Sequence, residues 1–235
     1  MTGELCADFD QCSAVVDDVA RLLLDDAGVT EPPVDVFVLA ERLQITVAVD
    51  AAQQSRGRHK QLAGASSIFL RPEERPERLQ WAAAHEVGEV VAWRIFDRLG
   101  IEPEPLVREQ IANLTASRLL LPSGWFFGDA RAVECDLLEL KTIYTTASHE
   151  LIALRMIDLP EPSIVSVFDH QQLARRQASR EMRAPRIQPI ERECWQYVHT
   201  QAKPHRMQTE TVEVRGWPIH EPGWKREILR TTPVE

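Results

Sequence analysis

Apolar positions recur at helical spacing through residues 13–27, where Val15, Val19, Leu22 and Leu23 fall on one stripe. Gly28 ends that pattern and Pro32-Pro33 bars its continuation. Residues 34–43 repeat it, with Val36, Leu39 and Ala40 turned toward a core. The period then shortens to two: Ile45, Val47 and Val49 alternate as in a half-buried strand. Residues 53–64 are polar with two glycines and predict a loop or hairpin tip, and 65–70 predicts a second strand. After the proline-punctuated run RPEERPER, a long central helix is expected from Glu77 to about Leu99.

A further helix is expected over 106–121, stopped by Pro122-Ser123-Gly124. Two short helical patterns follow at 136–144 and 148–157, with Ser148 a candidate N-cap. Their helix-turn-helix shape carries few basic residues, so it reads as a packing hairpin rather than a DNA reader. Beyond Leu159-Pro160 the texture changes to a strand candidate (SIVSVFD), an arginine-rich run, Thr/Val alternation at 209–215, and a Trp/Pro-rich segment holding Trp217, His220 and Trp224. The pattern predicts an α+β chain of two regions: 1–160, including a helical hairpin at 134–158, and a small mixed region at 161–235. The Trp/Pro-rich segment reads as aromatics docking on the body, and no spacing around His220 marks it as a ligand.

Composition narrows the function classes. With 44% hydrophobic and 27% charged residues, the 235-residue chain is ordinary for a globular protein. No apolar run reaches the roughly 18 to 20 residues of a membrane span, and the start, MTGELCADFDQC, lacks a signal-peptide pattern, so a cytoplasmic location is expected. Residues 171–235 hold 12 Lys/Arg against 8 Asp/Glu, while the rest holds 15 against 28. So acidic a body disfavours direct nucleic-acid binding. The four cysteines, Cys6, Cys12, Cys135 and Cys194, lack paired metal-ribbon spacing and read as free thiols.

Chemistry concentrates on the central helix. His85 and Glu89 are four residues apart and share a face, with Glu86 beside them. This is the ligand, base, ligand order of an H-E-x-x-H metal helix, with a glutamate at the second ligand position. Small residues at 82–84 and 88 allow close packing, and a turn of roughly ten residues lets the next helix bring Glu109 back toward His85. Bland alternatives stand beside each assignment. Glu89 would serve as a surface charge paired with Arg94 or another cation, Glu109 as an acid favoured by the helix dipole, and Asn113 as a hydrogen-bonding linker between helices. His59 and His149 are additional imidazoles that would complete a histidine-poor site, or simply exposed or capping residues.

Pro33-Val34-Asp35, then Leu39-Ala40-Glu41-Arg42-Leu43, a glycine-containing loop, the strand SSIFL, the helix with AAHEVGE, and EQIANLTASRLLLP follow in that order. Over residues 30–159 this arrangement resembles the ImmA/IrrE family of zincin-like metallopeptidases. The family helix reads A-H-E-x-G-H, and its next helix carries E-x-x-A-N followed by a small residue and L-L-x-P. The matching positions here are Glu109, Ala112, Asn113, Ala116, Leu120 and Pro122. The resemblance implies a zincin-like core, a small sheet plus helices bearing the metal site, with His85, Glu89 and Glu109 as ligands of one divalent metal. It implies Glu86 as general base and Asn113 as a residue that orients a ligand.

Zn²⁺ is the ion first implied. Exchanging a histidine for Glu89 brings the site nearer neutrality, weakens the ion as a Lewis acid, and shifts preference toward Mn²⁺ or Fe²⁺. The implied activity is a narrow-specificity endopeptidase cleaving a helix-turn-helix transcriptional repressor in stress or mobile-element regulation. The rival expectation is a non-catalytic, degenerate zincin-fold binding or regulatory module. A DNA-binding regulator using residues 134–158 ranks third.

Overall fold

The computed structural model describes residues 9–53, 57–62, 65–180 and 182–234. Cys6, with the acidic start, and parts of the segment expected as a loop at 53–64 lie outside them. Among the described residues there are eight α-helices and two small sheets, an α+β fold. None of these helices is long and apolar enough to cross a membrane. The chain divides into two compact units. One runs to Asp129 and takes in Ile143–Ser148, and the other comprises Ala130–Thr142 and His149–Glu235.

The N-terminal unit opens with α1 (Phe9–Asp26), whose buried stripe is Cys12, Val16, Val19, Ala20, Leu23 and Leu24. The helix starts a turn earlier than expected, and the stripe includes Val16 and Leu24 while Val15 and Leu22 are only partly buried. Next comes α2 (Val36–Arg42), capped by Asp35, whose carboxylate accepts the Phe37 N–H at 2.9 Å. Strands β1 (Thr46–Val49), β2 (Gly57–Leu62) and β3 (Ala65–Leu70) form a sheet ordered β1-β3-β2, with β1 parallel and β2 antiparallel to β3. The strand at 57–62 replaces the expected loop. Its backbone is satisfied by pairing His59 with Ile68 and Gly57 with Leu70, and an edge strand with alternate residues exposed needs no apolar alternation.

Helix α3 (Pro76–Leu99) carries Ala82, Ala83, Ala84, Val87, Val91 and Ile95 into the core. It is anchored to α2 through Gln80, which accepts the Val36 N–H at 2.8 Å and donates to Asp35 at 3.0 Å. Helix α4 (Pro105–Leu120) packs along α3 and buries Ile111, Ala112, Thr115, Ala116 and Leu119. The two helices are closest at Gly88, where an added Cβ would lie 2.8 Å from the Ala112 carbonyl oxygen and 3.0 Å from its Cα. These are backbone atoms, which do not swing aside. Gly88→Ala is therefore expected to destabilise the unit by about 1–3 kcal/mol, the usual range for overpacking, despite alanine's better helix propensity. A urea titration showing no loss would refute the close approach.

Helix α4 ends before Pro122 as expected, and α5 (Ser123–Ala132), which the sequence pattern does not mark, begins directly after it. The Pro122 carbonyl accepts from Trp125 and Phe126 at 3.1 and 2.8 Å, so the proline opens a helix as readily as it ends one. Phe126 is buried against Tyr144, whose hydroxyl donates to Asp129 at 2.6 Å.

In the C-terminal unit, β4 (Ile164–Asp169), β5 (Gln172–Ala178), β6 (His205–Gln208), β7 (Val212–Glu221) and β8 (Trp224–Pro233) form an antiparallel sheet ordered β5-β4-β8-β7-β6. One face takes α8 (Pro189–Gln201), which sits flush on the sheet: a Cβ at Gly216 would meet Val198 at 2.8 Å and Cys194 at 3.2 Å. Burial pushes the Cys194 thiol up to about 12, with the Glu191 carboxylate adding to it, which suits a packing thiol rather than a reactive one. The unit also holds α6 (Leu137–Ile143) up to Thr142, and α7 (His149–Arg155). Asp136 caps α6 with one oxygen, accepting from Leu138 and Glu139, and accepts the Trp217 indole N–H with the other at 3.2 Å. Arg226 of β8 donates to Glu150 of α7 at 2.6 Å, and Ser179 donates to the Ile157 carbonyl at 3.0 Å. These bonds tie the segment expected as the last part of the N-terminal region to the sheet. The division therefore falls near 129 and 148, earlier than 160.

Candidate metal centre

The long helix α3 places His85, Glu86 and Glu89 along a cleft of about 630 Å³, walled by Trp81 on the same helix, by Arg108, Glu109 and Asn113 from α4, and by Gly57 and His59 from β2. His85 Nδ1 faces Asn113 Oδ1 at 3.2 Å, while the Asn113 amide N–H donates to Glu109 Oε1 at 3.2 Å. The second bond orients the amide so that its oxygen accepts from imidazole Nδ1–H. The lone pair is thereby left on Nε2, which lies 3.7 Å from Glu109 Oε2. Ligands at tetrahedral angles and zinc bond lengths of roughly 2.0–2.2 Å are about 3.4 Å apart, so this separation suits an ion between the two.

Glu89 completes the group. One donor atom from each of His85, Glu89 and Glu109 lies within 4.8 Å of the others. The spacing of four residues on α3, and the return of α4 across it, bring together the three residues expected as ligands. A set of one imidazole and two carboxylates is a chemically sound donor set for a divalent ion, with preference for harder metals than an all-histidine site shows. Glu89 is not bonded to Arg94, which lies over the Trp93 ring instead. Its partner is Arg108, whose Nε donates to Glu89 Oε2 in a short hydrogen bond.

Glu86 is the buried acid of the cleft, 8% exposed and folded over Gly57, where a Cβ would lie 2.3 Å from Glu86 Oε1. Burial is the main cause that raises its carboxyl above the usual range. His85 opposes that shift, Glu89 and Glu109 add to it, and the His59 backbone N–H opposes it by donating to the carboxylate. A carboxyl so raised holds its proton more firmly, as a general base and acid requires. The His59 ring contributes a second cleft feature, since its Nε2 is buried and has no hydrogen-bond partner. His149, the other histidine considered, belongs to the C-terminal unit on α7.

No family model matches the chain, and no curated protein matches it either. Its fold is matched in a solved structure. The chain is similar to a Mycobacterium tuberculosis transcriptional regulator at a TM-score of 0.70 and 14% identity, over 95% of this chain and 81% of that one. At that identity the likeness is one of fold alone.

Arg108 and Gly57 escaped the sequence-based assignment, and His59 entered it only as an additional imidazole for a histidine-poor site. Arg108 directly precedes Glu109, so its presence at the site was accessible from the helix that bears the third candidate ligand. The other two enter through a strand whose polarity disguised it. A second group of His and carboxylate residues, His199, His220 and Glu227, lies in the C-terminal unit. Of these, only His220 stood out in the sequence.

Proposed function

We propose that the N-terminal unit is a metal-dependent endopeptidase of narrow specificity, of the kind the ImmA/IrrE resemblance implies. In this reading His85, Glu89 and Glu109 hold one divalent ion, Zn²⁺ or, given the two carboxylates, Mn²⁺ or Fe²⁺. The convergence of the three donors in one cleft, with buried Glu86 beside them, supports it best. An ion so held supplies Lewis acidity for a peptide carbonyl and for water. Glu86 takes the proton from the attacking water and returns it to the departing amine, while Asn113 keeps His85 Nε2 directed into the cleft. The substrate class is a helix-turn-helix transcriptional repressor.

The Arg108–Glu89 pair favours a second reading. A guanidinium already neutralises the carboxylate at the variant ligand position, as a protein using this fold only for regulatory binding would have it. A structural neighbour named as a transcriptional regulator suits that role as well. Elemental analysis of wild type, His85→Ala, Glu89→Ala and Glu109→Ala separates the two. The peptidase reading expects about one equivalent of metal at this site in wild type, lost in all three variants. Wild type and variants that hold equal metal after reconstitution with Zn²⁺, Mn²⁺ or Fe²⁺ would leave the regulatory module.

A further inference from the structure

Helix α8 and the β7–β8 hairpin enclose a carboxylate with an unusual set of partners. Trp195 and His199, four residues apart on α8, stack at 5.6 Å between ring centres on the helix face turned to the sheet. Beneath them, Pro218 of β7 pairs with Glu227 of β8, and His220 pairs with Lys225. His220 and Glu227 are therefore diagonal neighbours on one face of the hairpin. Glu227 is fully buried. Its Oε1 faces His199 Nδ1 at 2.8 Å and His220 Nε2 at 2.7 Å, and its Oε2 accepts the Trp195 indole N–H at 3.1 Å.

Glu191, the other buried glutamate under α8, offers a direct comparison. Its charge is matched by the Arg176 guanidinium, with both oxygens at 3.0 Å. The contacts of Glu227 are to two imidazoles and an indole, none of which carries a fixed positive charge. A carboxylate removed from water calls for a cation as well as hydrogen-bond donors.

We infer that His199, His220 and Glu227 form a second divalent-metal site, for an ion of the Zn²⁺ class. Two imidazole nitrogens and one carboxylate oxygen, from three separate elements, are the ligand types such ions take. One donor atom from each already lies within 4.8 Å of the others. Replacing two hydrogen bonds to Oε1 by metal bonds requires each ring and the carboxylate to move apart by about 0.6–0.7 Å, from 2.8 and 2.7 Å to the separation of about 3.4 Å that tetrahedral ligands take. Trp195 holds the second carboxylate oxygen and so fixes the orientation of the ligand, as outer hydrogen bonds do in metal sites. The imidazoles, 18% and 16% exposed, give the ion a path from solvent. By joining α8 to the hairpin, a bound ion clamps the helix to the sheet.

The test uses the 235-residue chain carrying His85→Ala and Glu109→Ala, which silences the other centre, after stripping with chelator. Titration with Co²⁺ is expected to give one equivalent with visible ligand-field absorption, displaced by Zn²⁺. Adding His199→Asn or His220→Asn, which removes a ligand, is expected to weaken binding by at least about 100-fold, the most that loss of an outer hydrogen-bonding partner alone costs. Absence of a bound equivalent, or affinity unchanged in both asparagine variants, overturns the site. Should those variants misfold by circular dichroism, protection of native histidines decides. Zn²⁺ is expected to shield His199 and His220 from diethyl pyrocarbonate in peptide mapping, and equal modification with and without Zn²⁺ overturns the proposal.

Discussion

Arg176→Met is expected to cost the C-terminal unit about 3–5 kcal/mol, the range for removing one partner of a buried ion pair. The Arg176 side chain is 9% exposed and that of Glu191 1%. The guanidinium donates to both oxygens of Glu191, to Ser166 Oγ, and to the Pro185 carbonyl at 2.9 Å. Without it, Glu191 retains only Thr231 Oγ1 at 2.7 Å and the Gln188 N–H at 2.8 Å, too little to hold a charge away from water. The same carboxylate closes the capping box at the start of α8, so its loss of order spreads to that helix. Adding Glu191→Gln should recover part of the loss by removing the orphaned charge. Denaturant-dependent hydrogen exchange, read on peptides of β4, β8 and α8, measures this unit by itself. A change below about 1 kcal/mol would mean that the pair is wetter than its burial indicates.

That pair also illustrates which parts of the fold were legible in the sequence. Helices α1 and α2 announce themselves by an apolar stripe, α3 and α4 by their length between proline and glycine boundaries, and β4 by a mostly apolar run. Strand β8 buries Glu227 and Arg230 among Ile228, Leu229 and Thr231, so neither alternation nor an apolar run marks it. Helix α8 contributes few apolar residues, Cys194 and Val198 chief among them, and its start is legible only through Pro189 and the Gln188/Glu191 box. In both elements the buried carboxylates find partners on other elements, Glu227 at Trp195 and His199 of α8 and Glu191 at Arg176 of β5. Polarity there reports tertiary pairing, not exposure.

The candidate centre was legible for a related reason. His85, Glu86 and Glu89 are local on one helix, Glu109 and Asn113 are local on the next, and a short connection makes them meet. The strand that brings Gly57 and His59 to the cleft was hidden because an edge strand has no signature of its own until its partner is known. The pairing of Glu89 with Arg108 rather than Arg94 depends on how α4 lies against α3. That is fixed at Gly88 and Ala112, not by spacing along α3.

Glu86→Gln is expected to separate chemistry from structure at this site. The amide keeps the shape that fills the space over Gly57 but neither accepts nor returns a proton, so cleavage should fall by about 10²–10⁴-fold. Metal content should stay unchanged, since Glu86 is not among the candidate ligands. The stability of the chelator-treated protein should move the other way. Folding raises the Glu86 carboxyl above its ordinary value near 4.5, chiefly through burial. Its ionisation therefore weighs against the fold, not at all below that value and increasingly as pH rises toward the raised one. Above that window the glutamine variant should be more stable than wild type, and at low pH the two should converge. A purely structural carboxylate held by its hydrogen bonds would lose stability on the same exchange. Mass spectrometry of helix-turn-helix repressors incubated with each protein reads the cleavage, and thermal melts from pH 4 to 8 read the stability. A variant less stable than wild type at neutral pH, with cleavage intact, would remove Glu86 from the catalytic role and leave it as part of the scaffold.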